Sequence, residues 1–77
     1  MFLAFRDTLV NLHYCTEIFA ADKDNEQFNK LHPGKFGIIL NFVGDKSMVE
    51  VFKTEEERQL RYNDIKYFIL KKGNEKC

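Results

Sequence analysis

Two histidines and two cysteines are the side chains of this 77-residue chain best suited to chemistry: His13, Cys15, His32 and Cys77. Zinc ligands normally come in pairs roughly two to four residues apart, and a second pair follows. A single residue separates His13 from Cys15, and no second pair follows. We therefore expect no metal site.

A catalytic cysteine is the second chemistry to consider. Cys15 would need His13 or His32 as its base, a third group to orient that base, and backbone donors for an oxyanion. Residues two apart on a strand share a face, so His13 and Cys15 could come close. No glycine-rich turn opens a helix near Cys15 to supply oxyanion donors. We therefore predict a protein that is not an enzyme and carries no cofactor.

Three adjacent carboxylates, Glu55, Glu56 and Glu57, resemble an acid/base cluster or a magnesium site. Adjacent side chains at a helix start point in different directions, however, and Thr54 precedes them. Thr54 can accept a hydrogen bond from the Glu57 amide while the Glu57 side chain reaches back to the Thr54 amide. Because negative charge is also favoured at a helix N-terminus, we interpret this cluster as a helix cap.

The charge balance argues against nucleic acid as the main partner. The chain has 12 basic and 12 acidic side chains and a formal net charge of zero. Proteins that neutralise many phosphates carry an excess of Lys and Arg. A nucleic-acid-associated accessory protein therefore stays as the alternative function, and it is not the favoured one.

Neither a leader nor a membrane segment is expected. The apolar start, Phe2–Phe5, is too short for a signal-peptide core, and no segment reaches the ~20 apolar residues of a membrane span. Cys15 and Cys77 are too few for a secreted disulfide scaffold. We expect a cytoplasmic protein without membrane contact.

The first part of the chain predicts strands. Residues 2–5 fit a short strand followed by a turn at 6–8. Residues 8–21 fit either two strands that flank a kink at 13–15, which we favour for their β-branched content, or one helix. In the helical alternative one face carries Leu12, Cys15, Ile18 and Phe19.

A polar connector, residues 21–34, ends in the turn signature Pro33-Gly34. Its Phe28 and Leu31 either anchor the connector on the domain or contact a partner. Residues 35–43 then alternate as the clearest strand, and Gly44 begins a hairpin to residues 48–53 because it supplies a positive φ.

The helix that begins at Glu55 has one stripe suited to lie on a sheet, formed by Arg58, Arg61, Tyr62, Ile65, Phe68 and Ile69. Leu60, Tyr67 and Leu70 lie off that stripe. Gly73 is suited to end the helix, and residues 74–77 are expected to fray.

These elements predict one α+β domain over residues 1–73. The favoured architecture is a small antiparallel sheet of three or four strands with the C-terminal helix packed on it, β-β-β-β-α. The alternative is α-β-β-α. Either order predicts core positions at Ile38, Leu40, Val49, Val51, Ile65 and Ile69. This pattern is similar to many small bacterial and phage proteins, a likeness that assigns no functional residue.

The aromatic content predicts the function. Eight Phe and three Tyr are more than so small a core buries easily, and interfaces are enriched in aromatic residues. We expect a non-enzymatic interaction module, an adaptor, an inhibitor or an oligomer subunit, that binds a protein partner or itself. The predicted interface residues are Phe28, Leu31, Tyr62, Tyr67, Phe68 and Leu70.

Overall fold

The computed structural model describes the backbone of residues 2–75 and the side chains of residues 2–71. It contains strands β1 (Phe2–Phe5), β2 (Thr8–Asn11) and β3 (Cys15–Ala21), helix α1 (Glu26–Leu31), strands β4 (Phe36–Phe42) and β5 (Lys46–Phe52), and helix α2 (Glu55–Glu75). The predicted α+β class is confirmed. The strand interpretation of residues 8–21 is also confirmed, and the helical alternative is wrong.

The described strands form two antiparallel sheets instead of one. β1 pairs with β2, and the other sheet has the order β3-β4-β5. The 3₁₀ turn Leu12–Tyr14 separates the two sheets. Asn11 fixes this turn because its Oδ1 accepts a hydrogen bond from the His13 amide at 3.0 Å. The chain therefore changes direction at the predicted kink, and β2 does not join β3.

The core lies between β4, α2 and the β1–β2 hairpin. Ile38 and Leu40 of β4 are fully buried, and Ile65 of α2 is 1% exposed. All three were predicted core residues, and the half-buried Ile69 packs against them. The hairpin completes the cluster with three residues absent from the predicted core, Leu3, Phe5 and Val10.

The far side of the sheet explains an error in the predicted core. The β4–β5 register pairs Val51 with Gly37 and Val49 with Ile39. Cross-strand partners share a face, and Gly37 and Ile39 face away from the Ile38 side. Val51 is consequently 40% exposed, so its predicted core position is wrong. Val49 is half-buried on the same far side.

Helix α1 lies within the segment that was predicted to be only a connector. Asn25 caps it, since Asn25 Oδ1 accepts a hydrogen bond from the Phe28 amide at 3.0 Å. The helix places Phe28, 3% exposed, against the sheet at Gly37. Phe28 therefore anchors this segment, and its prediction as an interface residue is wrong. The predicted turn at Gly34 is confirmed by its φ of +72°.

Helix α2 begins at the predicted cap. Thr54 Oγ1 accepts a hydrogen bond from the Glu57 amide at 3.2 Å. The Thr54 hydroxyl, and not its amide, donates to Glu57 Oε1 at 3.1 Å. The helix continues through Gly73 to Glu75. Its predicted end is thus too early, because an interior glycine costs only about 1 kcal/mol and does not by itself stop a helix. Residues 76 and 77 of the predicted frayed tail lie outside the described residues.

The predicted stripe of α2 is confirmed. Arg58 and Ile65 are buried, and the other stripe residues are half-buried. Leu60, Tyr67 and Leu70, which were predicted to lie off the stripe, are 62%, 68% and 61% exposed.

Two arginines hold α2 to the strands. Arg58 is 5% exposed, and its Nη1 donates to the Ala21 carbonyl at 3.0 Å. The Arg58 guanidinium lies 5.7 Å from the centre of the Phe36 ring, and its Nε has no hydrogen-bond partner within the described residues. Arg61 donates from Nε to Glu50 Oε1 at 3.3 Å and from Nη2 to the Ala4 carbonyl. Arg61 thus connects β1, β5 and α2.

We predict that Phe28 can pack against the sheet only because residue 37 is a glycine. A Cβ at position 37 would lie 2.6 Å from Phe28 Cζ and 3.2 Å from the Glu50 carbonyl oxygen. We expect Gly37→Ala to lower the free energy of unfolding by about 1–3 kcal/mol, measured by urea denaturation. In a Phe28→Leu background the penalty should shrink, because the ring is gone. An equal penalty in both backgrounds would show that Phe28 is not the group that meets the added methyl.

Arg58 gives a second stability prediction. Arg58→Met keeps most of the apolar stem and removes a buried cation, so the free energy of unfolding should change by no more than about 1 kcal/mol. Arg58→Ala leaves a cavity and should cost about 2–4 kcal/mol. Both variants are compared by the same urea titration. If Met is as damaging as Ala, the guanidinium contacts themselves stabilise the fold.

Candidate functional site

A groove of about 360 Å³ lies between β3 and α2, and we call it the β3–α2 groove. Its strand wall consists of Leu12, Cys15, Thr16, Glu17 and Ile18. Its helix wall consists of Tyr62, Ile65, Lys66, Ile69 and Leu70. Most of these side chains are apolar, and the volume falls within the lower range of ligand sites.

The helix wall follows from the helical repeat. Positions 62, 65, 66, 69 and 70 have the spacing i, i+3, i+4, i+7, i+8, which places them on one face. Ile65 at the centre of this face is held by the core. Tyr62 and Leu70 therefore point along the same side of α2, with Leu70 mostly in solvent.

The strand wall follows from two irregularities in the chain. The 3₁₀ turn Leu12–Tyr14 leads into β3, and the pairing of β3 with β4 shifts between Cys15 and Glu17. Such a bulge bends a strand and redirects its side chains. Leu12, Cys15 and Ile18, which would share a face in the rejected helical interpretation, are therefore brought together as one wall.

Two charged residues lie at the groove. Lys66 forms no salt bridge within the described side chains. Its Nζ lies 5.6 Å from the centre of the Tyr62 ring, a cation–π distance. Glu17 Oε1 accepts a hydrogen bond from Asn41 Nδ2 at 2.8 Å. The Glu17 carboxylate is thus hydrogen-bonded to the Asn41 amide, whereas the Lys66 ammonium group lies over an aromatic ring.

Cys15 is a half-buried thiol in the strand wall. Burial raises its pKa, a backbone hydrogen bond at Glu17 has a smaller lowering effect, and the Glu17 carboxylate raises the pKa again. The thiol also donates a hydrogen bond from Sγ to the Glu17 carbonyl at 3.5 Å, which favours its protonated form. An activated cysteine needs the opposite environment, one that favours the thiolate. His13 lies on the 3₁₀ turn, and its ring packs edge-on against Tyr14 at 5.1 Å. His13 and Cys15 therefore do not share the strand face that the catalytic hypothesis required.

The described side chains give no support to a metal site. Among the side chains that the structure describes, no three His, Cys, Asp or Glu residues converge. In the same part of the chain, neither helix has the length and apolar character of a membrane-spanning helix.

The predicted interface residues separate into groups. Tyr62 and Leu70 line the groove. Tyr67 is 68% exposed beside them on α2, and Leu31 is 76% exposed on α1. Phe68 is half-buried and packs against the core, so the larger part of its ring is unavailable to a partner. The groove therefore joins two predicted residues to a strand wall that was not predicted to take part.

A second depression follows β5. It is larger, about 650 Å³, and is lined by Arg6, His32, Ser47, Met48, Val49, Glu50 and Val51. Charged and polar groups make up much of this lining, and it has no apolar wall comparable to that of α2. The β3–α2 groove is therefore the stronger candidate for a binding site.

Comparison of the chain with protein-family models, with curated proteins and with solved structures gives no match. Its function must accordingly be inferred from the groove residues themselves.

The environment of Cys15 predicts slow alkylation. We expect Cys15 of a Cys77→Ser protein to react with iodoacetamide more slowly when folded than in urea, because the folded state shields the thiol and holds its proton. Its rate should still rise with pH where that of the unfolded chain has levelled off. Because the pKa of Cys15 is raised in the folded state, any stability that the thiol contributes is lost as the pH rises from the pKa of the unfolded chain through that of the folded protein. Faster reaction in the folded state would reveal an activated cysteine.

Proposed function

We propose that this protein is a non-enzymatic interaction module, an adaptor, inhibitor or oligomer subunit, that binds a protein partner through the β3–α2 groove. The observation that carries this proposal is the apolar groove with the exposed Leu70 at its helix wall. Contiguous exposed apolar surface on a small domain typically marks a contact site.

The surface next to the groove supports the same function. Tyr67 lies three residues before Leu70 on α2, and both side chains are more than half exposed. Tyrosine and leucine side chains in such positions add contact area around a concave site, and tyrosine is enriched in interface cores. Tyr67 thus places one exposed aromatic side chain where a partner in the groove can reach it.

Residue chemistry favours binding over catalysis at this site. The groove offers one thiol whose pKa is raised, one lysine and one glutamate that is hydrogen-bonded to Asn41. A nucleophile, a base and an oxyanion site are the parts that acyl transfer requires. The apolar walls supply shape and contact area instead.

The chain offers a matched pair of residues for the test. Leu60 and Leu70 lie on the same helix and are 62% and 61% exposed, and only Leu70 belongs to the groove lining. We expect Leu70→Lys to weaken a specific complex by about 10-fold or more, as loss of a buried interface leucine does, while Leu60→Lys leaves it within about two-fold. Partners are captured from native lysate with and without nuclease, and their affinities are then measured by calorimetry.

Folding and self-association are controlled in the same proteins. Both variants should keep the melting temperature of the parent within a few degrees, because neither leucine is buried. Sedimentation shows whether the partner is a second copy. If Leu60→Lys disrupts the complex and Leu70→Lys does not, the groove is the wrong site. Complexes that disappear with nuclease would favour nucleic acid instead.

A further inference from the structure

We infer that the groove takes an extended peptide segment of its partner, which pairs with the free edge of β3 and inserts apolar side chains against α2. This inference rests on the proposed function and specifies the occupant. The segment carries apolar side chains at alternate positions and one Asp or Glu side chain directed to Lys66.

The position of β3 in the sheet identifies the first half of the site. β3 is an outer strand of the β3-β4-β5 sheet and has no strand partner on its other side among residues 2–75. The side chains of Thr16, Glu17 and Ala20 are exposed, so solvent reaches this strand along much of its length. An edge strand of this kind is a template for one more strand.

The pairing register shows which backbone groups face outward. The Val43 amide donates to the Tyr14 carbonyl at 3.0 Å, just beyond the end of the β3–β4 ladder. Backbone groups alternate between the two edges along β4, so Asn41 and Ile39 face β3 as Val43 does. Their cross-strand partners beyond the register shift, Glu17 and Phe19, therefore face β4. Ile18 and Ala20 consequently direct their N–H and C=O groups to the open edge.

The groove lies beside the same edge and on the α2 face of the sheet. Ile18 is the cross-strand partner of Leu40, which is buried beneath α2. An added strand would lie about 4.8 Å from β3, and alternate side chains of that strand would point to the α2 face. They would contact the helix wall at Tyr62, Ile69 and Leu70. Strand addition therefore uses the backbone edge and the apolar groove together.

Lys66 specifies the polar part of the occupant. Its ammonium group forms no salt bridge within the described side chains, while the Glu17 carboxylate is hydrogen-bonded to Asn41. Capture of a chain terminus uses several converging backbone N–H groups. A single lysine side chain fits an Asp or Glu side chain better. A helical occupant would leave the outward backbone groups of Ile18 and Ala20 without partners.

The test starts from a displayed library of random peptides of about twelve residues, selected against the full-length protein. The strongest binder is synthesised, and each of its backbone amides is N-methylated in turn. Strand pairing predicts that every second N-methyl group lowers affinity about 10-fold and the intervening ones less than about two-fold, because only alternate amides face β3. Bound peptide should also protect Cys15 from alkylation.

Two changes in the protein complete the design. Ala20→Pro removes an outward N–H and should weaken the peptide about 10-fold, whereas Ala20→Ser keeps that N–H and should not. Lys66→Met should weaken an acidic peptide and abolish its advantage over the same peptide with Asn or Gln in place of Asp or Glu. The amide spectrum confirms that each variant is folded, and the N-methyl scan decides the question if Ala20→Pro does not fold.

Each contrary result has a distinct meaning. No selected binder, no two-residue periodicity, or a periodicity near 3.6 overturns strand addition. A dimer that Leu70→Lys dissociates also overturns it, because a second copy is then the occupant. In these cases a natural complex that is still lost with Leu70→Lys and kept with Leu60→Lys leaves the proposed function intact. Equal behaviour of those two variants removes the proposed function itself.

Discussion

The packing of Ile65 against Ile38 and Leu40 is the contact on which the other features of the molecule depend. Full burial of each such side chain contributes about 1.5–3 kcal/mol, a large share of the ~5–15 kcal/mol that holds a domain together. Because Ile65 lies near the middle of the helical stripe, this contact also fixes the rotation of α2 about its axis. Rotation in turn decides that Leu70 borders the groove while Leu60 faces solvent. Core and candidate site are therefore two consequences of one packing arrangement.

The two arginines of α2 fix what apolar packing leaves free. Burial of apolar surface is not directional, so it constrains the position of a helix along the strands only weakly. Arg61 reaches Glu50 and the Ala4 carbonyl, and Arg58 reaches the Ala21 carbonyl at the end of β3. These directional contacts set the position of the helix along the strands. The Arg58 contact also joins the end of β3 to α2, the two elements that form the groove, although Arg58 is not part of the groove lining.

Local sequence signals made the helix wall of the groove predictable, whereas the strand wall could not be predicted from them. The cap at Thr54 and the 3.6-residue repeat of α2 act within a few residues, so the stripe and the exposure of Tyr67 and Leu70 could be read from the sequence. The burial of Phe28 depends on Gly37 leaving space across the sheet, a non-local match that no repeat reveals. The strand wall depends on a 3₁₀ turn followed by a bulge. Neither irregularity has a periodic signature, so Cys15 and Ile18 could be placed on a common face only under a wrong helical interpretation.

An open sheet edge is normally a risk of aggregation, and the structure of β3 restricts that risk. The bulge between Cys15 and Glu17 interrupts the regular strand at one end, and Arg58 occupies the Ala21 carbonyl at the other. Only the short stretch around Ile18 and Ala20 presents a regular outer row, and bulges with charged neighbours such as Glu17 oppose the growth of long sheets. A short edge contributes few hydrogen bonds by itself. Binding there gains strength only when side chains also enter the adjacent groove, so the same geometry that limits indiscriminate pairing selects a partner by its apolar and acidic side chains.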